Sequence, residues 1–293
     1  MNNKEMTQLH LKVIILTFNS EDSIAQVLDS CLQISSDFLI VDSFSTDKTL
    51  DIAQAYNCQI VQHEFENYAQ QRNWAQSYAN LEDNQWVLHL DSDEIISEQL
   101  VISIQKEFSD KSQDFDGYLF RRLPHFLGQP IRYGHLHPNW HLRLFKAGKG
   151  KCENRLYDQH FIVNGSIKHL SGWLLDLQLT SLERWTATHN RWSSLEAREI
   201  FNRTKHQSND STLQAKLWGD SRMQKRWLKN KVWYRLPLLL RPFLFFVYSY
   251  FIKLGFLDGR IGLIHSVLQA FWFRFLVDVK ILELNKKSRW TNL

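Results

Sequence analysis

The sequence predicts an α/β protein, a mostly parallel sheet flanked by helices, followed by a helical appendage of different composition. Three observations carry this. Apolar β-favouring runs alternate with helix-spaced segments from Lys12 to Asp91. One such run, Trp86 to Leu90, ends in the acids Asp91, Asp93 and Glu94. After about Asn202 the chain turns basic and aromatic.

Lys12 to Phe18 reads as the first strand, because Val13, Ile14, Ile15 and Leu16 form a continuous apolar run suited to burial on both faces. Ile24, Val27, Leu28, Cys31 and Leu32 repeat at helical spacing. Phe38 to Asp42 is the second strand, and Asp47 to Tyr56 the next helix, with Ser45 or Thr46 as its cap. Gln59 to His63 is a short third strand, Asn67 to Tyr78 is helical, and the fourth strand ends at Asp91. Right-handed crossovers bring all the carboxyl ends to one rim. Thr17, Asn19, Asp42, Asp91 and Asp93 then converge there, around a nucleotide-sized crevice.

Asp91 and Asp93, two apart in an extended segment, project to one side. Carboxylates aimed at one point repel unless a cation or proton lies between them. A hard divalent ion completed by substrate phosphates meets that need. The bland alternative is a capping turn, with Ser97 capping the helix that follows. Neither G-x-G-x-x-G nor G-x-x-x-x-G-K-[ST] follows a strand, which disfavours dinucleotide and P-loop readings.

The segments Val13 to Asn19, Ile40 to Thr49, Gln71-Arg72-Asn73-Trp74-Ala75 and Leu90 to Glu94 together resemble the family 2 inverting glycosyltransferases of GT-A fold. Within that family they are similar to the lipopolysaccharide-core β-1,4-glucosyltransferase branch. One departure is Phe44, where the family usually has Gly. The resemblance implies nucleotide-sugar contacts from Thr17, Asn19, Asp42, Arg72 and Asp91, and a Mg²⁺ or Mn²⁺ ion on Asp93 with Asp91. Asn139 to Phe145 resembles the family's strand beneath the sugar. Its Arg143 pairs either with the diphosphate or an acceptor phosphate, or with a structural acid.

Inverting transfer needs one base for the acceptor hydroxyl. Asp158 is favoured, with Glu153 and His160 as rivals; the family's His-Glu is replaced here by Tyr157-Asp158-Gln159-His160. His135, His137 and His141 lack a fourth ligand or a helical i, i+4 pair, and lining of an acceptor cleft is preferred to zinc. Leu182 to Ile200 is a helix whose Trp185, His189, Trp192 and Glu196 share one face, read as core packing ahead of an acceptor wall.

Asn202 to Thr212 reads as a polar loop. Lys216 to Arg241 then interleaves eight Lys or Arg with Trp218, Trp227, Trp233 and Tyr234, against one acid. That mixture suits anionic headgroups or single-stranded nucleic acid. The apolar run Leu236 to Ile252 favours the membrane, and a net charge of only +4 demands no nucleic acid. Leu236 to Ile252 and Ile261 to Leu284 read as interfacial helices joined by a turn at 255–260. Cys31, Cys58 and Cys152 lack metal-ligand spacing, and residues 1–10 read as polar with no signal peptide.

The expectation is thus a GT-A catalytic domain over residues 1–201 and a membrane-associating region over 202–293. The chain would move a hexose from a UDP-sugar to a lipopolysaccharide-core, glycolipid or oligosaccharide acceptor, at the cytoplasmic face of a bacterial inner membrane. Rival readings are a polyprenyl-phosphate sugar transferase and a catalytically silent scaffold of glycan assembly.

Overall fold

The computed structural model describes residues 10–83, 85–109, 115–203 and 213–290. The expected polar N-terminus and most of the loop expected at 202–212 lie outside these residues. Two compact units form: Met1–Arg122 with Trp140–Cys152 and Phe161–Leu177, and Leu123–Asn139 with Glu153–His160 and Gln178–Leu293.

The first unit opens with β1 (Leu11–Thr17), α1 (Ile24–Cys31), β2 (Asp37–Asp42), α2 (Thr49–Ala55), β3 (Gln59–Gln62), α3 (Tyr68–Tyr78) and β4 (Trp86–Asp91). β1 pairs in parallel with β2 and β4, and β2 with β3, so the carboxyl ends of all four share one rim. Their apolar runs alternate between two cores. Val13, Ile15, Ile40, Leu88 and Leu90 pack with Ile24, Val27 and Leu28 of α1. Ile14, Leu16, Leu39, Val41 and Val87 face the other way and pack with Ala69 and Ala75 of α3. Burial on both faces explains the unbroken hydrophobicity of β1.

β5 (Glu94–Ile96), α4 (Glu98–Ser109), β6 (Gly117–Phe126), β7 (Gln129–Pro130), β8 (Trp140–Lys146), β9 (Gly150–Cys152), β10 (Phe161–Val163) and β11 (Ile167–Asp176) follow. The sheet runs β3-β2-β1-β4-β8-β6-β11-β5. It is mixed rather than mostly parallel, because β8 returns antiparallel to β4 and β6 antiparallel to β8. A return strand needs no crossover helix, so the β-α alternation that marks the first half gives no warning of it.

Local chemistry sets the helix starts. Asn67 caps α3 by accepting from the Gln70 amide at 3.0 Å, and Ser97 caps α4 through the Leu100 amide at 3.3 Å. The cap expected from Ser45 or Thr46 is not made: Lys48 holds the cap position of α2 without a side-chain capping bond, and the carboxylate of Asp47 before it takes the Thr49 amide at 3.0 Å. Ser45 is spent elsewhere, on Asp42.

The second unit contains α5 (Leu182–Arg203), α6 (Ser221–Lys231), α7 (Arg241–Val247), α8 (Gly259–His265) and α9 (Phe273–Trp290). The boundary expected at 201/202 falls in the last turn of α5. Trp185 is buried with Phe126 and Ile131, and Ala197 with Phe273, Val277 and Ile281, so this face of α5 is core. The expected pair of continuous C-terminal helices is broken up: α7 runs into a π-helical turn at Tyr248–Ile252, and Gly255–Asp258 forms a 3₁₀ turn before α8. No helix among the described residues is long and apolar enough to cross a membrane.

One glycine is fixed by close approach. Gly172 in β11 sits at φ +105°, and a Cβ there would lie 2.4 Å from the Leu100 backbone nitrogen of α4. Gly172→Ala is expected to cost on the order of 3 kcal/mol in urea unfolding, through strain and overpacking together. A loss within a few tenths would show that α4 can move aside.

Candidate active site

The rim of the first unit holds two joined networks. In the first, Asp42 at the end of β2 is fully buried and takes the Thr17 hydroxyl at 2.9 Å and the Ser45 amide at 2.8 Å. Asn19, at φ +49°, donates its amide to the Ser45 hydroxyl at 2.8 Å and accepts from the Thr46 amide at 2.8 Å. Thr17, Asn19 and Asp42 are therefore brought together, as the spacing predicts. The loop also explains Phe44. Its backbone sits at φ +61°, a conformation that costs a residue with a Cβ about 1–2 kcal/mol and glycine nothing. Its ring is exposed, as is that of Phe18.

A hydrogen bond of 2.7 Å between the hydroxyls of Ser20 and Ser92 links this network to the second. There, one guanidinium nitrogen of Arg72 lies 2.7 and 3.0 Å from the two oxygens of Asp91. Arg143 bridges Asp91 at 2.8 Å and Glu94 at 2.6 Å. Arg122 continues the series, 3.2 Å from Glu94 and 2.9 Å from Asp176 at the end of β11. Six side chains thus alternate in sign: Arg72, Asp91, Arg143, Glu94, Arg122, Asp176.

Asp93 stands beside this ladder. The segment is not extended, as its spacing suggests; Ser92 and Asp93 form a turn between β4 and β5. Asp91 and Asp93 consequently have different fates. Burial opposes the charge of Asp91, but Arg143 and Arg72 outweigh it and hold the carboxyl well below the usual range. Asp93 accepts no side-chain hydrogen bond among the described residues. Burial, then the nearby Asp176 and Asp91 carboxylates, push it well above its ordinary value. His89 lies beneath, its ring between Phe145 and Phe161, with neither nitrogen hydrogen-bonded. Burial, then Arg72 and Arg143, keep it neutral.

Residues 12–163 match the family model described as glycosyl transferase family 2. The chain belongs to glycosyl transferase family 2. An uncharacterized glycosyltransferase of Rickettsia typhi is 25% identical over 296 residues, spanning 95% of this chain and 89% of that protein. The lipopolysaccharide core biosynthesis glycosyltransferase LpsC of Rhizobium meliloti is 23% identical over 197 residues, 65% of this chain and 71% of its own. Among solved structures, the mannosyltransferase PcManGT of Pyrobaculum calidifontis, in complex with GDP-Man and Mn²⁺, is 14% identical. It aligns over 94% of this chain and 88% of its own with a TM-score of 0.48.

In this family 2 glycosyltransferase the expected base and its rivals lie in the second unit. Glu153 is fully buried: Arg226 contacts both its oxygens at 2.6 and 2.7 Å, and the amides of His160 and Leu213 donate to them at 2.9 and 3.0 Å. Asp158 is half-buried at φ +58°, with Lys229 at 3.3 Å and His160 at 3.7 Å. Burial opposes its charge, but Lys229, His160 and Arg155 hold it well below the carboxylate range. Burial brings His160 down to about 4. In the same unit His135 bonds the Ser249 hydroxyl at 2.8 Å, and His137 meets the Ile131 carbonyl.

Periodicity and the resemblance assign no role to Glu94, Arg122 or Asp176. The Arg121-Arg122 pair inside a strand marks half-buried charge but not its partners: Arg122 meets Glu94 and Asp176, whereas Arg121 lies over the Trp173 ring at 4.3 Å.

The Asp93 environment has a testable sign. A carboxyl raised in the folded state favours folding at low pH, and that contribution is lost as pH climbs from the ordinary carboxylate range through the raised value. Asp93→Asn is expected to melt at a higher temperature than the parent above that window and at the same temperature below it. A variant that is less stable at neutral pH would show that Asp93 is not under repulsion.

Proposed function

We propose that this family 2 glycosyltransferase moves a hexose, with inversion, from a UDP-sugar to a lipopolysaccharide-core or other lipid-linked glycan. The observation that carries the donor half is the contrast between two acids of one turn. Asp91 is neutralised by Arg72 and Arg143, whereas Asp93 has no donor of its own and faces further negative charge. Repulsion left unrelieved at the rim of a sheet is what a cation-assisted diphosphate site requires.

The donor set fits a hard divalent ion such as Mg²⁺ or Mn²⁺. It is all carboxylate, and among the described residues no three His, Cys, Asp or Glu side chains form a closed cage. Such ions use one or two carboxylates and take their other ligands from phosphates and water. Asp93 would hold the ion, with Asp91 as the expected partner once its arginines turn to the phosphates. When bound, the ion offsets the charge that develops on the leaving UDP.

The chain's own residues do the rest. Asn19 borders the nucleoside end on a loop held in place by the buried Thr17 and Asp42, and the exposed rings of Phe18 and Phe44 offer apolar faces to a base. Arg72 and Arg143 bring positive charge to the diphosphate end. For the acceptor, a base removes the hydroxyl proton as its oxygen attacks the anomeric carbon and UDP departs. Asp158 is preferred to Glu153, because every oxygen of Glu153 is already committed to Arg226 and backbone amides. The cations around Asp158 keep it ionised, so it is ready to accept a proton, at some loss of basicity.

The similarity to LpsC supports a lipopolysaccharide-core acceptor, which would place the enzyme at the cytoplasmic face of an inner membrane. The decisive experiment is a donor screen for nucleotide release with and without EDTA, followed by mass analysis of the glycolipid product. Metal-dependent release from a UDP-hexose is expected, and its absence from every donor would overturn the reading. Asp158→Asn is expected to keep donor binding while transfer falls by roughly 10²–10⁴-fold. Near-parental turnover would remove Asp158 from the role.

A further inference from the structure

α7 and the π turn after it are inside out. Leu240, Phe243, Leu244, Val247, Tyr248 and Phe251 recur at the spacing of one helical face, and all six are exposed. The opposite face carries the polar groups and is buried. There Arg241 is enclosed with Asp278, its Nε 2.9 and 3.1 Å from the two carboxylate oxygens, and Ser249 bonds His135. α8 repeats the inversion: Leu263 and Ile264 are exposed while His265 and Ser266 are buried. In water this arrangement is backwards, since it hydrates the apolar stripe and desolvates a charge pair. Against hydrocarbon it is the favourable order, with apolar side chains outward and polar groups satisfied within.

Charge identifies the partner. From Ser221 to Val267 the chain carries nine Lys or Arg, of which Arg222, Arg226, Lys229 and Arg241 are paired with acids of the same unit and Lys231, Arg235 and Arg260 are exposed, against a single acid, Asp258. That acid is taken up internally, accepting the amides of Arg132 and Tyr133 at 3.1 and 2.9 Å. The apolar stripe is bounded in sequence by Arg235, exposed, and Lys253, half-buried with its ammonium 5.9 Å from the Tyr248 ring. Trp218, upstream in the same unit, is 95% exposed, an amphipathic ring suited to the headgroup layer. A second copy of this chain would bring the same cations against one another, whereas an anionic bilayer complements them. No described helix can cross a membrane, so the contact is with one leaflet.

We propose that the outward stripe of α7 and its π turn, with the apolar edge of α8, is seated in one leaflet of an anionic phospholipid membrane. This deepens the membrane reading given above and is independent of the donor chemistry. It also gives the Phe256-Leu257-Asp258-Gly259 segment a role: Phe256 and Leu257 face outward while Asp258 ties the loop at Arg132 and Tyr133 to the seated surface.

The test uses the full chain and sedimentation with vesicles of phosphatidylcholine, alone or with a third of phosphatidylglycerol. The parent is expected to bind the mixed vesicles and to bind the neutral ones more weakly. The exposed double change Phe251→Glu with Ile252→Glu should lower partitioning by about tenfold or more, and Phe243→Ser should lower it independently. Ile102→Glu, equally exposed but on α4 in the first unit, should bind as the parent does. Equal binding by the double variant would overturn the proposal. So would failure of the parent to bind mixed vesicles, or a parental dimer that the variant converts to monomer without any vesicle binding. Metal-dependent nucleotide release reads separately: its loss with binding intact counts against the transferase reading alone, and lost binding with release intact counts against this surface alone.

Discussion

The first unit depends on the pairing of buried charge. Glu94, Arg72 and Arg143 are buried and Asp91 is half-buried, and an isolated ion at such a place would cost several kcal/mol. They persist because each acid meets a guanidinium at hydrogen-bond distance, and each of the two central arginines meets two acids. The ladder ties β4 and β5 to α3, β6, β8 and β11. It therefore fixes the turn that carries Asp93 from every neighbouring element. Removing one rung would leave an uncompensated charge on either side, so the ladder behaves as a unit rather than as separate ion pairs.

That arrangement divides labour between two acids a single residue apart. Neutralising Asp91 leaves Asp93 facing the carboxylates of Asp176 and Asp91 without a cation of its own in hydrogen-bond contact among the described residues. The loop above works on the same economy: Asp42 orients Thr17 and Ser45, and Ser45 in turn orients Asn19. Backbone strain at Phe44 is tolerated inside this web because the flanking amides are already fixed by hydrogen bonds.

Much of this was legible in the sequence. The four parallel strands, the three helices between them and the gathering of Thr17, Asn19, Asp42 and Asp91 follow from periodicity and from the rule that crossovers share a hand. The resemblance added the family. What stayed hidden is non-local. The antiparallel returns of β6, β8 and β11 leave no repeating signature, so the mixed character of the sheet and the partners Arg122 and Asp176 were out of reach. The turn at Ser92 and Asp93 was hidden as well, because a short polar stretch after a strand is compatible with extended or turned backbone. In the C-terminal region the amphipathic spacing was readable, but periodicity alone does not say which face looks outward. Only burial of the Arg241–Asp278 pair does so.

The order in which the ladder's rungs appear along the chain has a consequence for biosynthesis. α3 and β4 leave the ribosome together, so Arg72 can meet Asp91 early. Arg143 comes about fifty residues later and Asp176 later still, while domains assemble as their segments emerge. Until β6 and β8 dock, Glu94 lacks the guanidinium groups of Arg122 and Arg143 and must keep its water. The nascent sheet therefore has an open, hydrated edge at β4, and a chaperone or a paused ribosome that shields this edge would act at the one point where docking converts a solvated acid into a structural one.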